Sequence, residues 1–225
     1  MTRRLRAVWR LLRTVLHVLH GVAIALGRFP RLSAAQRHER IRWWAAGLLA
    51  RMGLRLEVEG HPRPGAALIV ANHVSWLDIM ALHAACPHAR FVSKADVKAW
   101  PVLGALIGAA GTLFIERERK RDALRVVHQM GEALQRGETV AVFPEGTTGA
   151  GHELLPFHAN LLQAAIATGT PVQPAALRYR DAASPVSAAV AWVGDATLVQ
   201  SLWAVANAEG LVVRVRWLDP RATAH

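Results

Sequence analysis

The run Ala67 to Ala71 contains no polar residue and reads as a buried strand, which limits the kind of fold that can surround it. Directly after it come Asn72-His73-Val74-Ser75-Trp76-Leu77-Asp78. Ser75 followed by Asp78 three residues later has the form of a capping box, so a helix is expected to start there with Ser75 as N-cap. Short apolar runs separated by helical patterns continue to the end of the chain, the mark of an α/β domain. Strands are predicted over residues 56–59, 90–93, 112–116, 139–143, 172–179, 188–193 and 211–217. Helices are predicted over 159–168, 198–208 and 119–136, where Ala123, Val127, Met130 and Leu134 recur at helical spacing before Gly137. The expected fold is a mixed central sheet flanked by helices, occupying residues 55–225.

Residues 1–54 differ in kind. The formal net charge is +11, and residues 1–55 hold twelve Arg against one acidic side chain, while basic and acidic residues balance in the remainder. Thr14 to Gly27 carries no charge, but its fourteen residues fall short of the roughly twenty that span hydrocarbon, so an interfacial or re-entrant helix is expected. Pro30 ends it, and a second helix over 33–52 brings Trp43 and Trp44 to a position suited to a bilayer interface. A signal peptide fits less well, because Gly27-Arg28-Phe29-Pro30 offers no small-x-small cleavage site. The pair is therefore expected to form a basic helical hairpin on an anionic membrane surface. No nucleic-acid partner is expected: the basic residues are interleaved with long apolar stretches and no recognised motif accompanies them. The single cysteine, Cys86, excludes an intrachain disulfide and fits the cytoplasmic face of a membrane, the inner one in a bacterium.

His73 and Asp78 lie on different faces of any continuous helix, so they meet only if the chain turns between them. The cap at Ser75 supplies the turn. A neutral imidazole takes a proton at physiological pH, and a neighbouring carboxylate holds its tautomer and steadies the imidazolium. No Gly-x-Ser-x-Gly elbow occurs, and Cys86 lacks an activating arrangement, so the hydroxyl such a base activates is expected to belong to a substrate. Taken alone, the pair also fits a hydrogen-bonded histidine beside a capping aspartate. Two further predicted strands end in polar groups, at Arg117 and at Glu145-Gly146-Thr147-Thr148, and strand ends in α/β sheets commonly share one cleft. His83, Cys86 and His88 contain metal-ligand types without a recognised second half, and no metal is expected. Lys94 and Lys98, flanking Asp96, remain unassigned.

Four blocks in order now make the chain resemble the glycerolipid acyltransferase family that includes 1-acylglycerol-3-phosphate acyltransferases. Asn72, His73 and Asp78 match its Asn-His-x4-Asp block; Phe114, Ile115 and Arg117 match Phe-Ile-x-Arg; Phe143 to Thr147 match Phe-Pro-Glu-Gly-Thr. Thr170-Pro171-Val172-Gln173-Pro174 looks like the later proline-containing block, and the resemblance covers roughly residues 55–180. It implies transfer of an acyl chain from an acyl-CoA or acyl carrier protein thioester to a lysolipid hydroxyl, with no cofactor. His73 would be the general base and Asp78 would orient it. Asn72, Phe114, Arg117, Glu145, Gly146, Thr147 and Thr148 would bind the acceptor or organise its pocket. The chain departs from the commonest pattern at Thr148, where an arginine is usual. Lysophosphatidate is the first expectation for the acceptor; a lyso-ornithine lipid is the alternative, since similar Glu-Gly-Thr-Thr turns occur in the branch that acylates it. A non-catalytic membrane lipid-binding protein is the reading of another class.

Overall fold

The structure, a computed structural model, describes residues 2–94, 103–115 and 120–223. Two helices, α1 (Arg3–Gly27) and α2 (Ala34–Met52), precede β1 (Arg55–Glu59), β2 (Ala67–Ala71), α3 (Leu77–Ala85), β3 (Arg90–Lys94), α4 (Leu103–Ala109) and β4 (Leu113–Ile115). There follow α5 (Lys120–Gln135), β5 (Thr139–Val142), α6 (Gln163–Thr168), β6 (Val172–Arg180), α7 (Leu198–Asn207) and β7 (Val212–Trp217). The seven strands form one mixed sheet in the order β1-β7-β6-β2-β5-β3-β4. Every neighbouring pair is parallel except β6 and β7. All five residues of β2 are buried, as a central strand covered on both faces requires. Because β2, β3, β4, β5 and β6 run the same way, their carboxyl ends gather at one edge.

Side chains alternate across the sheet and build two cores. Ile69, Ala71, Leu177, Tyr179, Val213 and Val215 join Leu48, Leu49 and Met52 of α2 and Leu77, Ala81 and Leu82 of α3. On the opposite face Leu68, Val70, Val140 and Val142 pack against Val126, Met130 and Leu134 of α5 and Ala164 and Ala165 of α6. Residues 188–193 are not the predicted strand. They form a loop in which Val190 is fully buried in the first core and the Trp192 N–H bonds the Val74 carbonyl. An apolar run signals burial, and a buried loop satisfies that signal as well as a strand does. Helix α4, which the sequence reading lacked, sits between β3 and β4.

The amino-terminal helices are tied into the domain. Helix α1 is continuous from Arg3, longer than the uncharged stretch alone suggests, because its arginines have a partner. Arg10 donates to the Ala206 and Ala208 carbonyls at 3.0 and 2.8 Å, Arg3 donates to Asn207 O at 2.9 Å, and Arg6 pairs with Glu209. These groups cap the carboxyl end of α7, where a cation also complements the helix dipole. At the α1–α2 crossing His17 Nε2 meets Trp44 O at 2.9 Å while Trp44 Nε1 donates to His17 O at 3.2 Å. Gly21 leaves room for the indole: a Cβ there would lie 2.2 Å from Trp44 Nε1. Ser33 caps α2 with Gln36 in a capping box, as sequence signals of this kind require.

His83 of α3 is fully enclosed, edge-on to Phe91 at 4.7 Å. Burial, with His38 nearby, pushes its pKa down from 6.5 to about 4. Proton uptake by His83 therefore favours the unfolded chain: the stability it protects is complete above pH 6.5 and is lost as pH falls from 6.5 towards 4. The loss should reach about 3 kcal/mol, and His83→Leu should flatten the slope of unfolding free energy against pH by one proton across that window. Urea titrations of both proteins measure this, and equal slopes would place the acid sensitivity elsewhere.

Candidate active site

Beyond β2 the Asn72 side chain continues the ladder in place of backbone: its Nδ2 donates to Leu177 O at 3.0 Å and its Oδ1 accepts from Leu177 N at 2.7 Å. Both amide atoms are thus engaged by β6, and Asn72 ties the end of β2 to that strand. His73 follows at the sheet's carboxyl edge, and three contacts hold it. Its N–H donates to Glu145 Oε1 at 2.7 Å, its carbonyl accepts from Gly149 N at 2.8 Å, and its ring stacks on Phe143 with centroids 4.1 Å apart. Phe143 to Gly149 therefore forms a cradle for the histidine. The turn needs Gly146, whose φ is +70° and whose missing Cβ would strike His158 at 2.9 Å.

Asp78 is completely buried and accepts four hydrogen bonds. Its Oδ2 takes His73 Nδ1 at 2.7 Å, Val74 N at 2.6 Å and Ser75 N at 2.9 Å; its Oδ1 takes Tyr179 Oη at 2.6 Å. Charge-assisted bonds of this length offset the cost of removing a carboxylate from water. The expected capping role of Ser75 is corrected here. Helix α3 starts at Leu77 behind Trp76, with no side-chain cap, and Ser75 Oγ is buried without a hydrogen-bond partner among the described residues. Only the reciprocal half of a capping box exists, the reach of Asp78 back to the Ser75 N–H, because this carboxylate is drawn towards His73 and two amides at once.

Tyr179 is the residue the sequence reading missed. It occupies one inward position of alternating β6, where an aromatic residue is ordinary core, and no local pattern marks its hydroxyl. Burial and the adjacent Asp78 charge push its pKa well above the usual range, so it remains a donor. With Nδ1–H committed to Asp78, His73 Nε2 keeps a lone pair, and no hydroxyl or thiol among the described residues occupies it. Cys86 lies elsewhere, buried beside His88 at 3.5 Å from Nε2, and burial raises its thiol to about 12, the opposite of an activated nucleophile. The arrangement can take a proton from an incoming hydroxyl and return it to a leaving group.

Glu145, expected at the acceptor, is buried, and its second oxygen accepts from Leu155 N at 3.0 Å. Thr147 is exposed at the rim. Thr148 donates its hydroxyl to Trp192 O, which fastens the 187–193 loop against the turn. Phe114 lies in β4, three strands from β2 and so about 14 Å along the same edge. Arg117, Asp96 and Lys98 lie outside the described residues.

Comparison with known proteins gives this geometry a family. A profile described as Acyltransferase matches residues 55–178. The lyso-ornithine lipid O-acyltransferase of Pseudomonas aeruginosa is 38% identical over 221 residues, 94% of this chain and 84% of that protein. The 1-acyl-sn-glycerol-3-phosphate acyltransferase of Neisseria meningitidis is 42% identical over 172 residues, 75% of this chain and 66% of that protein. The crystal structure of the 1-acyl-sn-glycerophosphate acyltransferase from Thermotoga maritima superposes with a TM-score of 0.65 over 95% of this chain and 87% of that one, at 20% identity, and so shares the fold. A matched domain that carries the histidine, its buried carboxylate partner and the turn that cradles them leaves one conclusion: the chain belongs to the Acyltransferase family and is an O-acyltransferase.

Proposed function

We propose that this enzyme moves an acyl chain from a thioester to the free hydroxyl of a lysolipid, with His73 as general base and lysophosphatidate as acceptor. The observation that supports it most is the 2.7 Å bond from His73 Nδ1 to buried Asp78, which leaves Nε2 free to serve a substrate hydroxyl, with no protein hydroxyl or thiol on it among the described residues. Nε2 takes the acceptor's proton as its oxygen attacks the thioester carbonyl. The tetrahedral intermediate collapses by breaking the C–S bond, and the imidazolium returns the proton to the departing sulfur. Asp78 stabilises the imidazolium, and Tyr179 holds Asp78. His73→Ala should cost ~10² to 10⁴-fold in kcat at an unchanged fold. Tyr179→Phe leaves Asp78 Oδ1 without its donor and the anion more basic, so kcat should fall about tenfold and the acid limb of the pH–rate profile should move to higher pH. Full turnover by folded His73→Ala would remove the mechanism; an unmoved acid limb in Tyr179→Phe would reduce that tyrosine to core packing.

A second acceptor is favoured by Thr148. Arginine offers phosphate a rigid charged fork, whereas Thr148 has one hydroxyl whose proton already goes to Trp192 O. Its lone pairs accept rather than donate, which suits the amine of a lyso-ornithine lipid better than a phosphate oxygen. Rates with both lysolipids, and again with Thr148→Arg, decide between them: the substitution should raise the ratio of lysophosphatidate to lyso-ornithine lipid turnover. A constant ratio would mean that position 148 does not read the head group.

An anionic membrane surface, at its cytoplasmic face, is the proposed site of work. Leu5, Val8, Trp9, Leu12, Val15, Leu16 and Leu19 repeat at helical spacing along α1 and each is at least half exposed. Arg4 and Arg13 flank this stripe in solvent. The helix is long and apolar enough to cross a bilayer, but its other side is fastened to α2 and α7, which favours lying in the interface. Trp9→Glu with Leu12→Glu should weaken flotation with anionic vesicles by at least about tenfold while leaving turnover of detergent-dispersed acceptor intact. Unaltered flotation would assign attachment to another surface.

A further inference from the structure

The half of the sheet formed by β6, β7 and β1 is covered on one face only. Leu177, Tyr179, Val213, Val215 and Trp217 enter the core beneath the helices, so alternation turns Arg178, Arg180, Arg214 and Arg216 to the other face, where they are exposed. Helices α5 and α6 build the core on that side over β2 and β5, not here. Edge strand β1 adds Arg55, Glu57 and Glu59.

The charges do not balance. Glu57 is shared by Arg55, Arg180 and Arg214 at 3.0, 3.2 and 3.2 Å, and Glu59 by Arg214 and Arg216 at 3.2 and 3.7 Å. Arg178 has no ion-pair partner among the described residues, yet the strand register sets it directly opposite Arg214. Like charges so opposed destabilise a sheet. A fold that keeps them has a use for the excess, and shallow clefts run between them, lined by Arg178, Arg180, Pro185 and Arg214 and, adjoining, by Glu59, Ala176 and Arg216.

We propose that this face docks an acidic carrier protein that presents the acyl group as a thioester, an inference that rests on the acyl-transfer reading above. Three features select this occupant. The arginines span three strands, about 10 Å across, in an open lattice that matches several carboxylates on a protein surface rather than one enclosed phosphate. They lie on the opposite side of the sheet from α1, whose exposed stripe is the proposed membrane contact, so they face water when the stripe meets lipid. Arg178 and Arg180 flank Tyr179, whose hydroxyl holds Asp78, so the patch begins behind the strand end that carries the dyad. A docked carrier needs only to bring its flexible thioester arm around that edge.

Arg178→Glu with Arg216→Glu tests this, with Arg178→Gln as a milder companion and thermal melts to verify folding. Initial rates are measured with one lysolipid in one detergent, using palmitoyl thioesters of acyl carrier protein and of coenzyme A in parallel. The KM for the carrier thioester should rise about tenfold or more in the double variant, most steeply at low salt, with kcat/KM for the coenzyme A thioester within about twofold of wild type. An unchanged carrier KM, an equal loss with both donors, weakened flotation with anionic vesicles, or a wild-type enzyme that uses coenzyme A alone would each overturn the proposal. Wild-type protein inert with both donors on lysophosphatidate and on lyso-ornithine lipid alike would instead overturn the acyl-transfer reading and this inference with it.

Discussion

A carboxylate with no exposure to water organises this molecule. Removing Asp78 from solvent costs several kcal/mol unless its oxygens are met by donors. The four that meet it come from the turn after β2, from the His73 ring and from the carboxyl end of β6. Satisfying the charge therefore fixes the tightness of the turn, the first residues of α3 and the approach of β6 to β2. Asn72 reinforces the same pairing with both of its amide atoms. The carboxylate that holds the His73 ring is also a bolt between neighbouring elements, so the setting of that ring and the fold cannot be varied independently here.

A second buried carboxylate works from the other side. Glu145 spans the His73 and Leu155 amides, and Phe143 supplies a flat surface against which the imidazole lies. His73 is thus gripped at its N–H, its carbonyl, its ring face and its Nδ1, with Nε2 left to act. Preorganisation of this kind lowers the reorganisation needed when a proton is transferred. It also changes how the Phe-Pro-Glu-Gly-Thr turn is understood: its buried members build the socket of His73, and Gly146 and Thr147 are exposed at the rim.

Much of this was legible in the residues and some was not, for physical reasons. Ala67 to Ala71 announced the central strand because burial on both faces demands an unbroken apolar run. Apolar runs marked β6 and β7, and a helical pattern from residue 33 marked the start of α2. Residues 188–193 misled because Val190 is buried through a loop, and hydrophobicity reports burial without reporting pairing. Tyr179 stayed hidden because its partner is 101 residues away in sequence, and Ser75 misled because a capping signal was diverted to serve a buried charge. The amino-terminal arginines read as one basic set on a hairpin, but Arg3, Arg6 and Arg10 are held at the end of α7. Local periodicity carries no information about such long-range pairings.

Splitting the amino-terminal cations in this way has a consequence for how the protein orients. Arginines engaged by α7 cannot bind lipid phosphates without releasing helix carbonyls, so the proposed attraction to an anionic bilayer would rest on those left in solvent, Arg4 and Arg13 among them, beside the apolar stripe. The engaged set instead fixes the rotation of α1 about its axis, and with it the direction in which Trp9, Leu12 and Leu16 point. Because α7 packs into the same core as β7, that direction is held rigid relative to the sheet. The apolar stripe and the arginine face of β6 and β7 are thereby kept on opposite sides of the molecule, a separation that neither surface could impose by itself.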